Sequence, residues 1–201
     1  MRKRFLSILL TCCMMLTLLP TVAFAETTVN DENELKAELS GSDSTIKLGG
    51  NIDINKTLEI KRTVTLDLNG HVLNMIDNKK VIEEVGGGNL TLKDSDPGTT
   101  HKFTPNAEGL WVWDETNGTR IVKGGVITGG KATAGGGVLV DGGTFSMSGG
   151  SIVGCAATVM NGGGVRVSGG KSGRFDMIGG SIVGCTANKG SGGGIYNAGT
   201  T

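Results

Sequence analysis

The string GGSIVGC occupies residues 149–155 and returns unchanged at residues 179–185, 30 residues further along the chain. A GGG triplet opens an apolar burst at Gly135, Gly162 and Gly192, in steps of 27 and 30 residues. The three extra residues fall in one turn, where SGGKSGRFDMIGG replaces DGGTFSMSGG. Similarity at a fixed period of this length is typical of solenoid proteins, in which each repeat adds one structural unit.

Each repeat contains three short apolar bursts, such as GVLV, TFSMS and SIVGC, separated by Gly-Gly turns. Each burst resembles the burst one repeat away rather than its neighbour in sequence, which favours parallel ladders over a hairpin meander. Ladders spaced about 4.8 Å apart would bring like side chains together. The predicted apolar columns are Phe145 with Phe175, Met147 with Met177, Ile152 with Ile182, Val138 with Val165, and Val140 with Val167.

Weaker copies extend the repeat towards the N-terminus. TVTLDL at Thr63 and NLTLKD at Asn89 are 26 residues apart, and GTRIVKGGVITGG at residues 118–130 matches GTFSMSGGSIVGC at an offset of 25. We therefore predict an all-β chain that forms a single-stranded parallel β-helix of about six coils over residues 44–201. Because the sequence stops shortly after a new coil begins, we expect a truncated helix that continues into further coils or a C-terminal anchor.

The N-terminus has the features of an export signal. Residues 1–25 begin with a basic cluster, continue with an apolar run and end in Ala-Phe-Ala, which predicts a cleaved signal peptide. Cleavage leaves 16 basic and 19 acidic residues, a net charge of about −3, which does not favour nucleic acid as a partner. No later stretch is long and apolar enough for a transmembrane helix. We expect a secreted protein associated with the cell surface.

Residues 26–43 are predicted to form an N-terminal cap that contains a short helix. Asp31 and Glu34 match a capping box, and Leu35 and Leu39 share one helical face. Such a helix would cover the open end of the stacked strands.

Four segments carry a resemblance to a known superfamily: the signal ending LLPTVAFA, ELKAELSGSDSTIKLGGNIDI, TVTLDLNGHVL, and the GGGVxV and GGSIVGC units. The last three cover about residues 31–201. The chain resembles the pectate-lyase-like right-handed parallel β-helix superfamily, and more narrowly the Gly-rich adhesin-like repeat proteins exported by Gram-positive bacteria. The resemblance implies a right-handed helix and a bacterial surface protein. It does not select a function, because this superfamily includes lyases, hydrolases, adhesins and inert stalks.

No catalytic residue, cofactor or metal site is predicted. Enzymes of the resembled superfamily carry carboxylates with Arg or Lys on one outer face of adjacent coils, and residues 124–201 do not place two acids in that way. Asp94 and Asp96 in KDSDPG fit turn chemistry, with a calcium role as the alternative. His71 and His101 have no partner at ligand or triad spacing, which favours structural roles, and His101 is alone in a polar loop.

Two residue pairs are candidate site residues. Trp111 and Trp113, both tryptophans of the chain, would share one face of a strand in GLWVWDETNG. Facing outward they would form a carbohydrate-binding platform, whereas facing inward they would fill the core of a wide loop. Cys155 and Cys185 would lie one coil apart as stacked thiols or as a disulfide; a metal site is less favoured because no other ligand is nearby in sequence.

These observations predict a secreted or cell-surface β-helix repeat protein that acts as an adhesin-like or structural rod and is non-catalytic in this region. The expected partners are glycans and host or cell-wall surfaces. Two alternatives stay open. One is the N-terminal part of a β-helix polysaccharide lyase or glycoside hydrolase, and the other is a carbohydrate-binding module that uses Trp111 and Trp113.

Overall fold

The computed structural model describes residues 26–170 and 172–199, and the predicted signal peptide lies outside them. Within these residues the chain is mostly β, with parallel sheets and one helix, which agrees with the all-β prediction. Helix α1 spans Glu32–Ser40. The strands are β1 (Glu26–Val29), β2 (Thr45–Leu48), β3 (Ile52–Ile54), β4 (Leu58–Ile60), β5 (Thr63–Asp67), β6 (Val72–Met75), β7 (Ile82–Val85), β8 (Asn89–Lys93), β9 (Thr100–Pro105), β10 (Trp111–Trp113), β11 (Arg120–Lys123), β12 (Val126–Thr128), β13 (Lys131–Ala132), β14 (Val138–Asp141), β15 (Gly143–Met147), β16 (Ser151–Val153), β17 (Ala156–Ala157), β18 (Val165–Val167), β19 (Gly173–Met177), β20 (Ser181–Val183), β21 (Thr186–Ala187) and β22 (Ile195–Asn197).

Most strands belong to parallel sheets. Sheet A has the order β1-β2-β5-β8-β15-β19, sheet B β20-β16-β12-β6-β3, and sheet C β22-β18-β14-β7-β4. Sheet D is short, with the order β13-β17-β21. Strands β10-β9-β11 form a separate antiparallel sheet, which we call the insert and which comprises residues 100–123.

Successive strands of the chain fall into different sheets in a repeating order. From β2 to β8 the chain passes through sheets A, B and C twice and returns to A. From β12 to β22 it repeats the order B, D, C, A, so that sheet D lies between B and C in the path. From β2 onward, each strand of sheets A to D therefore pairs with strands of the preceding and following turns of this path rather than with its neighbours in sequence.

The predicted apolar columns are confirmed by the strand register. Val138 pairs with Val165, and Ile152 pairs with Ile182. Phe145 pairs with Phe175, and their rings are stacked with centroids 5.1 Å apart. Most of these residues belong to one continuous hydrophobic cluster, to which Phe175 and Ile182 add partly buried contacts. Burial of each large side chain contributes about 1.5–3 kcal/mol, so stability is shared between neighbouring strands.

The prediction that residues 118–130 form a weaker copy of the repeat is correct for the second half of this segment and wrong for the first half. Its second part, β12, pairs with β6 and β16 in sheet B as the repeat requires. Its first part, β11, does not enter sheet A but pairs with β9 in the antiparallel insert. Sheet A continues directly from β8 to β15, where Thr144 pairs with Asn89. The turn of the path from β8 to β15 is therefore 55 residues long, about twice the usual repeat, and the extra residues build the insert.

The helix predicted within residues 26–43 is present, and Asp31 is its N-cap. The Asp31 side chain accepts hydrogen bonds from the backbone N–H groups of Asn33 and Glu34 at 2.8 and 2.9 Å. Glu34 in return accepts from the backbone N–H of Asn30 at 2.8 Å, one residue before the position that a capping box predicts. The two bonds to Asp31 satisfy donors that the first helical turn leaves without intrahelical partners.

The other end of α1 is held by an arginine that sequence reasoning did not identify. The Arg62 guanidinium donates to the carbonyls of Glu38 and Leu39 at 2.7 and 3.1 Å. Leu35 and Leu39 are buried in the main hydrophobic cluster. The helix is therefore anchored to the first strands of the sheets both by its apolar face and by its C-terminal carbonyls.

Candidate functional site

The insert leaves the parallel sheets between β8 and β12 and lies on the outer face of sheet B. A second hydrophobic cluster joins the two parts: Phe103 and Val122 come from the insert, and Val72, Val126 and Val153 come from sheet B. This cluster is separate from the main core. The insert is therefore a small structured layer packed on the body of the protein.

Sheet B is buried on both faces beneath the insert. Leu73 and Ile127 belong to the main core, whereas their neighbours Val72 and Val126 belong to the outer cluster. Adjacent apolar residues in one strand are typical of a sheet covered on both sides. The doublets in VLNM, VIT and SIV were the sequence signal for this covering layer.

Trp111 and Trp113 share one face of β10, as predicted, and Val112 is exposed on the other face. Both tryptophan side chains are half-buried and pack against the outer cluster. Arg120 lies over Trp111, with its guanidinium carbon 5.9 Å from the ring centroid. This arrangement has the inward orientation of the two that the sequence left open, and carbohydrate binding stays a prediction.

Trp111 rests on two glycines of the repeated string GGSIVGC. A Cβ atom on Gly154 would lie 1.7 Å from the Trp111 carbonyl oxygen, and one on Gly184 would lie 2.2 Å from Trp111 Cγ. The Trp111 backbone N–H donates to the Gly184 carbonyl at 3.0 Å. Both glycines also have positive φ, at 61° and 59°. Residues without a side chain are needed here for close approach as well as for the turn.

A groove of about 270 Å³ runs between β10 and the outer side of sheet B. Its wall contains aromatic rings, the backbone of three glycines and three polar side chains that can donate hydrogen bonds. The lining includes Asn74, Trp111, Trp113, Thr128 and Lys131. A concave site with apolar walls and a few polar groups is the usual form of a small-ligand site.

His101 is not alone in a polar loop, contrary to the sequence prediction. It lies in β9, is 5% exposed, and contacts two partners that sequence spacing did not reveal. Its Nδ1 lies 2.8 Å from Glu115 Oε1, and its Nε2 lies 2.8 Å from the carbonyl oxygen of Gly70. Glu115 Oε1 also accepts the indole N–H of Trp113 at 2.7 Å. His101 therefore connects the insert to a turn of the body.

The two aspartates of KDSDPG have different roles. Asp96 accepts hydrogen bonds from the Gly98 N–H and the Thr99 hydroxyl at 3.2 and 2.8 Å, which confirms turn chemistry and lowers the pKa of Asp96. Asp94 instead reaches other turns: it accepts from the N–H groups of Gly70 and Gly125 at 2.7 and 2.8 Å. Asp94 thus joins two turns that are far apart in sequence.

Glu84 is a buried acid within an apolar column. It pairs with Ile60 and Val140 on the neighbouring strands and is 0% exposed. Among the described residues neither carboxylate oxygen makes a hydrogen bond of normal geometry, although the backbone N–H of Leu90 favours the charged form. Burial dominates and raises the pKa of Glu84 to about 8.

Cys155 and Cys185 are free thiols in the structure, stacked one repeat apart. The backbone N–H of Cys155 points to Cys185 Sγ at 3.4 Å. The hydrogen bond with the Cys185 thiol, together with burial, raises the pKa of Cys155 well above its usual range. Such a thiol is a poor nucleophile, because the thiolate is the reactive form.

Among the described residues, no group of three or more His, Cys, Asp or Glu side chains is arranged to hold a metal ion. No helix in residues 26–170 or 172–199 has the length and apolar character needed to cross a membrane. Comparisons with protein family models, curated proteins and solved structures found no match for this chain. The function proposed for the chain therefore rests on its own sequence and geometry.

Proposed function

We propose that the chain is an exported, non-catalytic, single-stranded right-handed parallel β-helix that acts as an adhesin-like or structural rod at a cell surface. The observation that supports it is the repeating passage of the chain through sheets A, B and C, with like residues in register. Parallel strands joined by crossovers are right-handed in nearly all known cases, which supports that hand.

The stacking also supports a mechanical role. Each inner strand of a parallel sheet is hydrogen-bonded to the strands of the turns on either side, so the sheets extend as further repeats are added. Side chains that face outward can vary without disturbing the core, as Ser146 and Asp176 do where Phe145 and Phe175 stay apolar. A stiff body with variable outward residues suits presentation to glycans or to host and cell-wall surfaces.

The rival proposal is the N-terminal part of a polysaccharide lyase or glycoside hydrolase, and one experiment tests whether residues 26–201 are themselves catalytic. The mature chain, residues 26–201, is incubated with acidic and neutral polysaccharides, and both co-sedimentation and new reducing or unsaturated sugar ends are measured. The rod proposal expects retention on a cell-wall or host glycan without new ends. Release of sugar ends by the purified chain would refute it. Expression with residues 1–25 in a bacterial host tests export, and an uncleaved cytosolic product would contradict that part.

A second function is favoured by the groove beside β10, which we propose as a carbohydrate site. Trp111 and Trp113 offer aromatic surface, and Asn74 and Lys131 offer hydrogen-bond donors to sugar hydroxyls. Aromatic walls with a few polar groups are the chemistry that sugar recognition requires.

Lys131 allows a test of the carbohydrate site that does not disturb packing. It is exposed and lines the groove, whereas Lys123 is exposed at the end of β11 and does not line it. We expect Lys131→Ala and the double variant Trp111→Ala plus Trp113→Ala to lose glycan-array binding, and Lys123→Ala to retain it. Unchanged binding by the double variant would discard this site.

A further inference from the structure

His101 is placed so that both of its ring nitrogens face hydrogen-bond acceptors. Nε2 lies 2.8 Å from the Gly70 carbonyl oxygen, which can only accept. Nδ1 lies 2.8 Å from Glu115 Oε1. The ring is 5% exposed, so water does not readily replace either partner. The protonation of His101 therefore decides how many of these two bonds can form.

Glu115 is an acceptor because it is ionised. Its partial burial raises the pKa, but the indole N–H of Trp113, the His101 ring and the backbone N–H of Lys102 together outweigh burial and lower the pKa of Glu115. The ionised carboxylate has no proton to donate to His101. A neutral imidazole has a single N–H, so it can satisfy either Glu115 or Gly70 but leaves a lone pair facing the other oxygen. Only the doubly protonated ring makes both bonds.

The groups around His101 include both signs of charge. Three cations and Asp114 lie on the insert, and three aspartates and the other histidine lie on the turns beneath it. Apart from Glu115, the charged and titratable groups on the elements packed around His101 are Lys102, Asp114, Arg120, Lys123, Asp67, His71, Asp94 and Asp96. Glu115 is the acid in direct contact with the ring, with its Oε1 2.8 Å from Nδ1.

We propose that doubly protonated His101 is a pH-sensitive latch that holds the insert on the body of the protein. Gly70 belongs to the turn before β6, and Glu115 belongs to the insert, so the ring bridges the two parts. A histidine changes charge between about pH 5 and pH 8. Below this range both bonds form and the insert is closed. Above it one bond becomes an unfavourable contact between lone pairs, and this side of the insert opens. The groove beside β10 becomes wider when the insert opens, because β10 forms one wall of the groove.

The chain provides a direct optical probe of the latch. Its two tryptophans both lie in β10, so tryptophan fluorescence reports the insert and not the body. As the pH rises through the histidine range, we expect the emission to shift towards that of exposed tryptophan. We also expect amide exchange in β9–β11 to become about tenfold to a hundredfold faster, the effect of losing one charge-assisted hydrogen bond. Amide exchange in sheets A and C is expected to change much less.

The chain also has a matched control, because His71 is its only other histidine. The comparison is made in a Glu84→Gln background, since Glu84 titrates in the body. We expect His101→Gln to abolish the fluorescence transition and His71→Gln to preserve it. Identical fluorescence transitions in the Glu84→Gln protein and in the same protein with His101→Gln added would overturn the proposal.

A measurement on the unsubstituted protein keeps the proposal testable if His101→Gln does not fold. Nitrogen-15 NMR of the imidazole rings distinguishes doubly from singly protonated histidine. The latch requires His101 to carry two ring protons at pH 5 and one at pH 9, with amide exchange in the insert following the same midpoint. A singly protonated His101 at pH 5, or exchange that is independent of its titration, would refute the latch.

Discussion

Glu84 makes the stability of this protein depend on pH in an unusual direction. The folded protein holds the Glu84 proton to about pH 8, whereas an exposed glutamate releases it near pH 4.5. Between these values the unfolded state binds fewer protons, so the free energy of unfolding falls as pH rises. The contribution of protonated Glu84 to the free energy of unfolding is complete below about pH 4.5 and is lost above about pH 8. At about 1.4 kcal/mol per pH unit, the loss over this window is at most about 5 kcal/mol.

The prediction is tested by urea unfolding followed by far-UV circular dichroism from pH 4.5 to 8.5. We expect the free energy of unfolding of the unsubstituted protein to fall by several kcal/mol more than that of Glu84→Gln, which has no proton to lose. Glu84→Val continues the apolar column of Ile60 and Val140. We expect its free energy of unfolding to exceed that of the unsubstituted protein by the largest margin at pH 8.5.

Glu83 is the matched control, because it adjoins Glu84 and its side chain is 28% exposed with Lys80 Nζ at 3.0 Å. We expect Glu83→Gln to keep the pH dependence of the unsubstituted protein. Parallel profiles for the unsubstituted protein and Glu84→Gln would refute the reasoning, since they would show that Glu84 is ionised and solvated in the folded state.

Three further predictions concern the contact of Trp111 with Gly154, the N-cap of α1 and the two thiols. Gly154→Ala is expected to displace Trp111 and shift its fluorescence to longer wavelength. It is expected to lower the free energy of unfolding by at least about 1–2 kcal/mol, because the position has φ 61° and no room for a Cβ. Gly50→Ala, with nothing within 4 Å of the added Cβ, is the control, and equal effects of the two substitutions would contradict the contact between Gly154 and Trp111. Asp31→Ala is expected to lower stability by about 1 kcal/mol in thermal unfolding while Asp31→Asn retains it, since either Asp or Asn can cap α1; equal loss in both would exclude capping. Thiol titration of the mature, unfolded and unreduced protein is expected to find two free thiols, Cys155 and Cys185, and a count of zero would show a disulfide.

Much of the parallel architecture could be predicted because the repeat is periodic. A ladder pairs residues one repeat apart, so the offset between similar strings is also the register between strands, as for Phe145 and Phe175. The antiparallel pairing of β11 with β9 could not be read in this way, because RIVK resembles the repeat in its alternation and the pairing partner has no similar string.

The environment of His101 was also hidden from the sequence. One partner is a backbone carbonyl, which has no residue type to signal it, and the other, Glu115, is 14 residues away across a strand pair. The inward position of Glu84 was equally unclear, since in IEEV either glutamate could face the core until the register with Ile60 and Val140 was known.

The sequence by itself determined the period, the parallel register of the columns and the capping of α1, because each depends on short strings and their spacing. The positive φ of the glycine at the sixth position of GGSIVGC, by contrast, became known only from the backbone of the structure. Only the tertiary structure decided that Trp111 occupies the space left by Gly154 and Gly184, and that His101 contacts the Gly70 carbonyl. These contacts join segments that share no repeat, and only packing in three dimensions brings them together.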